Sequence, residues 1–155
     1  MTVKVRIELG GLRPEWGLSY SEGDRILYAG RRGSAGPLHT LQGSYDLLLD
    51  ADEHNRIAEA EAVMSAEPRH WIVSHDIEPP QAEAGEVYVV EDIDDGQRQQ
   101  YFTDSNRSLF YARLGEPRRP EELQCVLLGK GVVVEVAPDG VLCGFWLLGL
   151  PPTLL

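Results

Sequence analysis

The strongest constraint on this chain is that it repeats itself. Arg25-Ile-Leu-Tyr-Ala29 is echoed by Arg107-Ser-Leu-Phe-Tyr-Ala112, and each follows a polar turn, Tyr20-Ser-Glu-Gly-Asp24 in one case and Phe102-Thr-Asp-Ser-Asn106 in the other. Leu47-Leu-Leu-Asp-Ala-Asp-Glu-His-Asn55 matches Val132-Val-Val-Glu-Val-Ala-Pro-Asp-Gly140, and the opening run Val3-Lys-Val-Arg-Ile-Glu-Leu9 matches Glu86-Val-Tyr-Val-Val-Glu-Asp92. The copies lie 82 to 85 residues apart. A repeat of this kind ties both halves to one architecture, because every repeated position must satisfy the same local geometry twice. The chain therefore divides into a first module over residues 1–68, a linker over 69–85 and a second module over 86–155.

Within each copy the pattern is all-β. Short runs rich in Val, Ile, Leu, Tyr and Phe are punctuated by Gly, Pro, Asn and Asp. Asn55 and Gly140 fall where a hairpin turn requires positive φ. Asp94-Asp95-Gly96 is expected to join 87–93 to 97–103 as a hairpin, and Asp139-Gly140 to join 131–136 to 141–148. Consecutive hairpins build a meander, so the expected fold is two tandem antiparallel β-meander modules related by pseudo-twofold symmetry. Ile57-Ala-Glu-Ala-Glu-Ala-Val-Met64 holds the one conflict: its composition favours helix, whereas its two-residue alternation favours strand, and the alternation decides. The linker holds a strand, His70-Trp-Ile-Val-Ser-His75, ahead of Pro79-Pro80, where the diproline forbids helix.

Charge narrows the partners. Across 155 residues, 25 acidic against 14 basic side chains leave a net charge of -11, a field that repels phosphate backbones and anionic membranes, so no nucleic-acid or membrane partner is expected. The start of the chain lacks the apolar core of a signal peptide, and the greasiest stretch, 141–155, is interrupted by Gly144, Gly149, Pro151 and Pro152, too soon for a spanning helix. Cys125 and Cys143 both sit in apolar runs and read as core thiols of a cytoplasmic protein rather than a disulfide.

Leu109-Phe-Tyr-Ala-Arg-Leu114, then Gly131-Val-Val-Val-Glu-Val-Ala-Pro-Asp-Gly140 and Val141-Leu-Cys-Gly-Phe-Trp-Leu-Leu-Gly149, resemble the bacterial domain-of-unknown-function family numbered 2283. That family has an apolar strand centred on Leu-Tyr, a glycine leading into a Val-rich strand, an acidic hairpin ending in Asp-Gly and a glycine-containing closing strand. The first copy departs from it, with Asn55 in place of the turn glycine and no glycine within 58–61. The resemblance implies a β-sheet module of bacterial origin. The family has no established reaction, so no catalytic residue carries over.

The densest polar constellation is Asp50, Asp52, Glu53 and His54. Asp50, Asp52 and His54 offer oxygens and an imidazole to a divalent cation, but a calcium loop wants acidic or amide groups first, third and fifth, glycine sixth and glutamate twelfth, and here His54 is fifth, Asn55 sixth and Glu61 twelfth, so a solvated turn is the plainer reading. Glu91, Asp92, Asp94 and Asp95 form a second acidic turn. His39, His54, His70 and His75 are scattered, and His70 and His75 fall on opposite strand faces, which excludes a shared zinc. Ser74-His75-Asp76 has the residue types of a nucleophilic triad, but neighbours on a strand point to opposite faces. No nucleophile elbow, phosphate loop, dinucleotide fingerprint or HExxH is present, and no cofactor is expected. Tyr28 and Tyr111 occupy equivalent positions and read as core-packed rings.

Phe145, Trp146, Leu147 and Leu148 form a run apolar on both faces, which a one-faced surface strand does not explain. The closing strands of the two copies and the Leu154-Leu155 tail are expected to bury against each other or against a second subunit, with Phe145, Trp146, Leu148 and Leu154 at the contact and a homodimer as the outcome. The leading functional expectation is a non-enzymatic cytosolic protein with a binding or assembly role. The alternatives are an acidic antitoxin or immunity-like protein that neutralises a basic partner, and a small metal-dependent hydrolase built on Asp50, Asp52 and His54.

Overall fold

The period-two alternation becomes strands in the computed structural model, which describes residues 2–10, 15–21, 26–32, 39–41, 47–63, 71–93 and 99–150. In chain order these are β1 (Thr2–Leu9), β2 (Trp16–Ser21), β3 (Ile26–Arg31), β4 (His39–Thr40), β5 (Leu47–Ala51), β6 (Ile57–Val63), β7 (Trp71–Val73), β8 (Glu83–Ile93), β9 (Gln99–Asp104), β10 (Leu109–Leu114), β11 (Gln124–Gly129), β12 (Val132–Val136) and β13 (Leu142–Leu148). A 3₁₀ turn over Pro120–Glu122 is the one helical element among the described residues, and none of their helices is long and apolar enough to cross a membrane.

Two sheets result. The smaller, of five strands, runs β2-β3-β6-β5-β4 and is antiparallel throughout. The larger, of eight strands, runs β1-β8-β11-β12-β13-β10-β9-β7 and is mixed, since β8 lies parallel to β11 and β7 parallel to β9. The protein is thus all-β, but not a pair of symmetric tandem meanders. The sheets are unequal, β1 joins the larger sheet through β8, and neither sheet follows chain order, because β3 pairs with β6 and β10 with β13. The physical reason is that an amphipathic strand goes to whichever edge lays its apolar face on the core. Against β8, β1 buries Val3 and Val5 while Lys4, Arg6 and Glu8 stay outside, and its other edge is engaged at Lys4, which bridges to Val141.

The hairpin expected at Asp94-Asp95-Gly96 is likewise corrected. Those three residues lie outside the described ones, but the flanking strands do not pair: β8 takes β1 and β11, and β9 takes β10 and β7. A turn sequence specifies a bend, not the partner of the strand that follows it. Gly85 marks where β8 changes partner, since a Cβ there would lie 2.7 Å from Glu8 O and 3.2 Å from Val126 Cγ1. The linker strand spans only Trp71–Val73, with His70 outside the described residues. Residues 57–63 do form a strand.

What recurs between the halves is the order of five strands and the turn at Asn55 and Gly140. The order β9-β10-β13-β12-β11 retraces β2-β3-β6-β5-β4. Asp52 N–H donates to Arg56 O and Asn55 N–H to Asp52 O, both at 2.9 Å, and Ala137 to Val141 and Gly140 to Ala137 repeat these bonds at the same length. Asn55 (φ 61°) and Gly140 (φ 84°) are both left-handed, and each lends its carbonyl to the opening strand of the other half: Val89 N–H to Asn55 O at 2.7 Å, Val5 N–H to Gly140 O at 2.8 Å.

The sheets face each other across one apolar cluster. The smaller sheet contributes Leu27, Ala29, Leu47, Leu49, Ala60 and Ala62, and the larger contributes Val87, Phe110, Val126, Val134, Phe145 and Leu147. Small side chains from β6 thus share the core with large rings, the volume matching that close packing needs. Phe145 and Trp146 are both buried within the chain itself, on opposite faces of β13. Trp146 packs with Leu109 and Val133, and Ile77 and Ala82 of the linker cover this second cluster, against which Leu148 is partly buried. Leu154 lies outside the described residues.

Candidate functional site

Alternation on β6 turns Ala60 and Ala62 of Ile57-Ala-Glu-Ala-Glu-Ala-Val63 toward the core and both glutamates outward. Register does the rest. Asp50 of β5 stands opposite Glu59, and Leu48 opposite Glu61. One carboxylate oxygen from each of Asp50, Glu59 and Glu61 lies within 4.8 Å of the other two. Asp50 is buried, at 7 % exposure, and the glutamates are half-buried. Among the described residues no Lys or Arg is ion-paired with any of the three.

The cost of gathering these charges appears in the proton affinity of the two glutamates. Burial pushes the Glu59 carboxyl above the usual range, and the charges of Asp50 and Glu61 push it the same way. Burial followed by the Asp50 charge does so for Glu61. The same row of the sheet continues through Gly30, opposite Glu59, to Gly17, opposite Gly30, and these two positions have no side chain. The Arg32 guanidinium lies over Gly17, where a Cβ would meet Nε at 3.4 Å, and the Glu59 side chain lies over Gly30, where a Cβ would meet Cγ at 3.8 Å. Tyr28 stands opposite Glu61. The arrangement is oxygen-rich, negatively charged and open, suited to an ammonium, a guanidinium or a hard divalent cation.

The structure separates the triplet Asp50, Asp52 and His54. Asp52 belongs to the turn: its Oδ1 accepts from His54 N–H at 2.9 Å and Arg56 N–H at 3.0 Å, and its Oδ2 accepts from Arg56 Nε at 2.9 Å, with Nη2 at 2.8 Å. Burial raises the proton affinity of Asp52, but the donors of Arg56 and His54 outweigh it and hold the carboxyl below its ordinary value. The exposed His54 ring has Nε2 3.5 Å from Glu53 Oε1. Glu59 is the member that sequence reasoning missed; Glu61 entered it only as the twelfth position of a calcium loop counted from Asp50. The signal was present as two glutamates alternating on a strand, but only the β5–β6 register brings Asp50 to them.

The remaining candidates disperse. His75 Nδ1 lies 3.1 Å from Asp104 Oδ1, so the histidine of Ser74-His75-Asp76 is engaged across the sheet instead of with its neighbours. Glu91 reaches Lys4 at 3.9 Å. Asp94, Asp95, His70 and the His39 side chain lie outside the described residues. Cys125 and Cys143 are free thiols, and burial with the charge of Glu135 pushes Cys125 up to about 11. On the larger sheet Tyr111 and Glu135 occupy the places that Tyr28 and Asp50 hold on the smaller, but there the chain closes the face with its own linker. No protein-family model matches this chain, and no curated protein sequence matches it.

Proposed function

We propose that the protein is a non-enzymatic binding module that receives a cationic segment of a partner protein on the outer face of its smaller sheet. The observation that carries this reading is the trio Asp50, Glu59 and Glu61, crowded within 4.8 Å with no basic side chain paired to it among the described residues. Concentrated like charge is unfavourable in the free protein, and a lysine or arginine from outside relieves it. The net charge of -11 would steer a basic partner toward the protein, which also supports the antitoxin-like or immunity-like role. Two free cysteines support a reducing, cytoplasmic setting. The β12–turn–β13 hairpin closing at Gly140 supports the likeness of residues 109–149 to family 2283.

The test is a backbone NMR titration with a short Lys/Arg peptide at low and high ionic strength. Shifts concentrated in β3, β5 and β6 that weaken with salt are expected, and Glu59→Gln or Glu61→Gln should each lower affinity about fivefold, the equivalent of ~1 kcal/mol of screened charge pairing. Absence of peptide shifts, or a response to Mn²⁺ alone, sinks the reading.

Self-association is a second reading, supported by Ile72 at 43 % and Val73 at 70 % exposure on the edge strand β7. Sedimentation velocity should then show a dimer that Val73→Glu dissociates. A single monomeric species at every concentration refutes it.

A further inference from the structure

We infer that Asp50, Glu59 and Glu61 hold a divalent cation of calcium size while no basic partner occupies them. The inference uses the carboxylates of the proposed peptide site but stands or falls separately from it, because a metal ion needs only their oxygens and not the surrounding surface.

Acids on the outside of a sheet are ordinarily solvated, and two features set this cluster apart. The first is Asp50. It is 7 % exposed, yet among the described residues its carboxylate has neither a hydrogen bond nor an ion pair, and it points at the glutamates, with an oxygen within 4.8 Å of one on each. A carboxylate withdrawn from water without a donor is unfavourable, and an arriving cation removes that penalty. Asp52 is the contrast. It is buried to the same degree, at 5 % exposure, but takes three hydrogen bonds from His54 and Arg56 and so has no need of an ion.

The second feature is the internal repeat. Glu135, Gly144 and Trp146 hold on the larger sheet the places of Asp50, Glu59 and Glu61. Glu135 stands opposite Gly144 and Val133 opposite Trp146, as Asp50 stands opposite Glu59 and Leu48 opposite Glu61, and the register shifts after each of the two acids. On that sheet the one acid has neutral neighbours: its carboxyl fills the notch left by Gly144 and accepts a hydrogen bond from Tyr111. The architecture thus accommodates a glycine and a tryptophan in these rows, so neither strand pairing nor core packing requires Glu59 and Glu61 to be acidic.

Size narrows the ion. Calcium takes about 6–8 oxygens at about 2.3–2.6 Å, so ligands on opposite sides of it lie about 5 Å apart. Three carboxylates spread over no more than 4.8 Å fit around such an ion, with water completing the exposed side. Magnesium demands a near-ideal octahedron at about 2.0–2.1 Å and is usually held by one or two carboxylates, so three favour the larger ion. Oxygen-bearing side chains flank both rows, with Thr40 opposite Asp50 on β4 and Tyr28 opposite Glu61 on β3. The Arg32 guanidinium, over Gly17 two strands from Glu59, is paired with Glu15 at 3.6 Å.

The test uses the full chain, stripped of metal with EDTA and followed by backbone NMR. Substoichiometric Mn²⁺ should broaden the amides of 48–51 and 59–61 first, and Ca²⁺ should restore them. Asp50→Asn and Glu61→Gln should each weaken Ca²⁺ binding about tenfold or more, since affinity in such sites follows ligand charge. Glu121→Gln, at an exposed acid outside the cluster, removes the same charge and should change nothing. If Asp50→Asn disturbs folding, Glu61→Gln at its half-buried position decides. Broadening spread equally over the acidic residues 91–92 and 121–122, broadening that survives both variants, or none at all overturns the proposal. Shifts with the Lys/Arg peptide but no Mn²⁺ broadening overturn it and leave the peptide reading standing; Mn²⁺ broadening at the trio without peptide shifts does the reverse.

Discussion

Asp52 shows how much one side chain organises. It accepts three hydrogen bonds from His54 and Arg56, and they hold the turn in the shape that lets Asn55 reach Val89. Because its folded pKa lies below the ordinary 3.8, its contribution is present above the unfolded value and is lost as pH falls through the folded one. Asp52→Ala should cost ~2–3 kcal/mol in urea unfolding at neutral pH, since the half-buried Arg56 then lacks its counter-ion. The gap from the native chain should close in strong acid. An equal gap at both pH values would mean that packing, not the carboxylate, carries the effect. Asn55 and Gly140 were legible as turn residues from sequence because positive φ admits few residue types. The role of Asp52 was not, since aspartate in a turn is equally consistent with a metal ligand or a solvated charge.

Among the elements, β6 and β8 teach opposite lessons. In β6 the alternating Ala and Glu overrode a helix-favouring composition, because ladder pairing with β3 and β5 and burial of the alanine face against the larger sheet outweigh intrinsic propensity. In β8 the local signal was read correctly as a strand and incorrectly as half of a hairpin. Its eleven residues serve two partners, β11 over Glu83 and Ala84 and β1 from Gly85 onward. Strand identity is written in periodicity over a few residues, whereas partner choice depends on distant segments, 43 residues away for β11 and 76 or more for β1. The trio of the candidate site belongs to the same lesson: both glutamates were visible, but their meeting with Asp50 is a matter of register.

At the scale of the whole molecule, the sheets meet closely enough that one methyl group matters. A Cβ on Gly129 of β11 would fall within 3.0 Å of Cδ1, Cγ and Cβ of Trp16, a buried ring from the smaller sheet. Gly129→Ala should therefore cost ~1–3 kcal/mol by overpacking. The midpoint of chemical unfolding measures this, and an unchanged midpoint would show that the sheets can slide apart at no cost. Arg31 and Glu86, 2.7 Å apart and mostly buried, tie the same two sheets by charge. By itself the sequence determined the all-β class, most of the strands and the left-handed turns, because each rests on periodicity or φ preference within a few neighbouring residues. Only the tertiary structure decided that β1 crosses to the larger sheet, that the linker closes one outer face, and that three carboxylates gather on the other. Those outcomes depend on which distant apolar surfaces find each other, a choice set by the burial of the assembled core and not by any local run of residues.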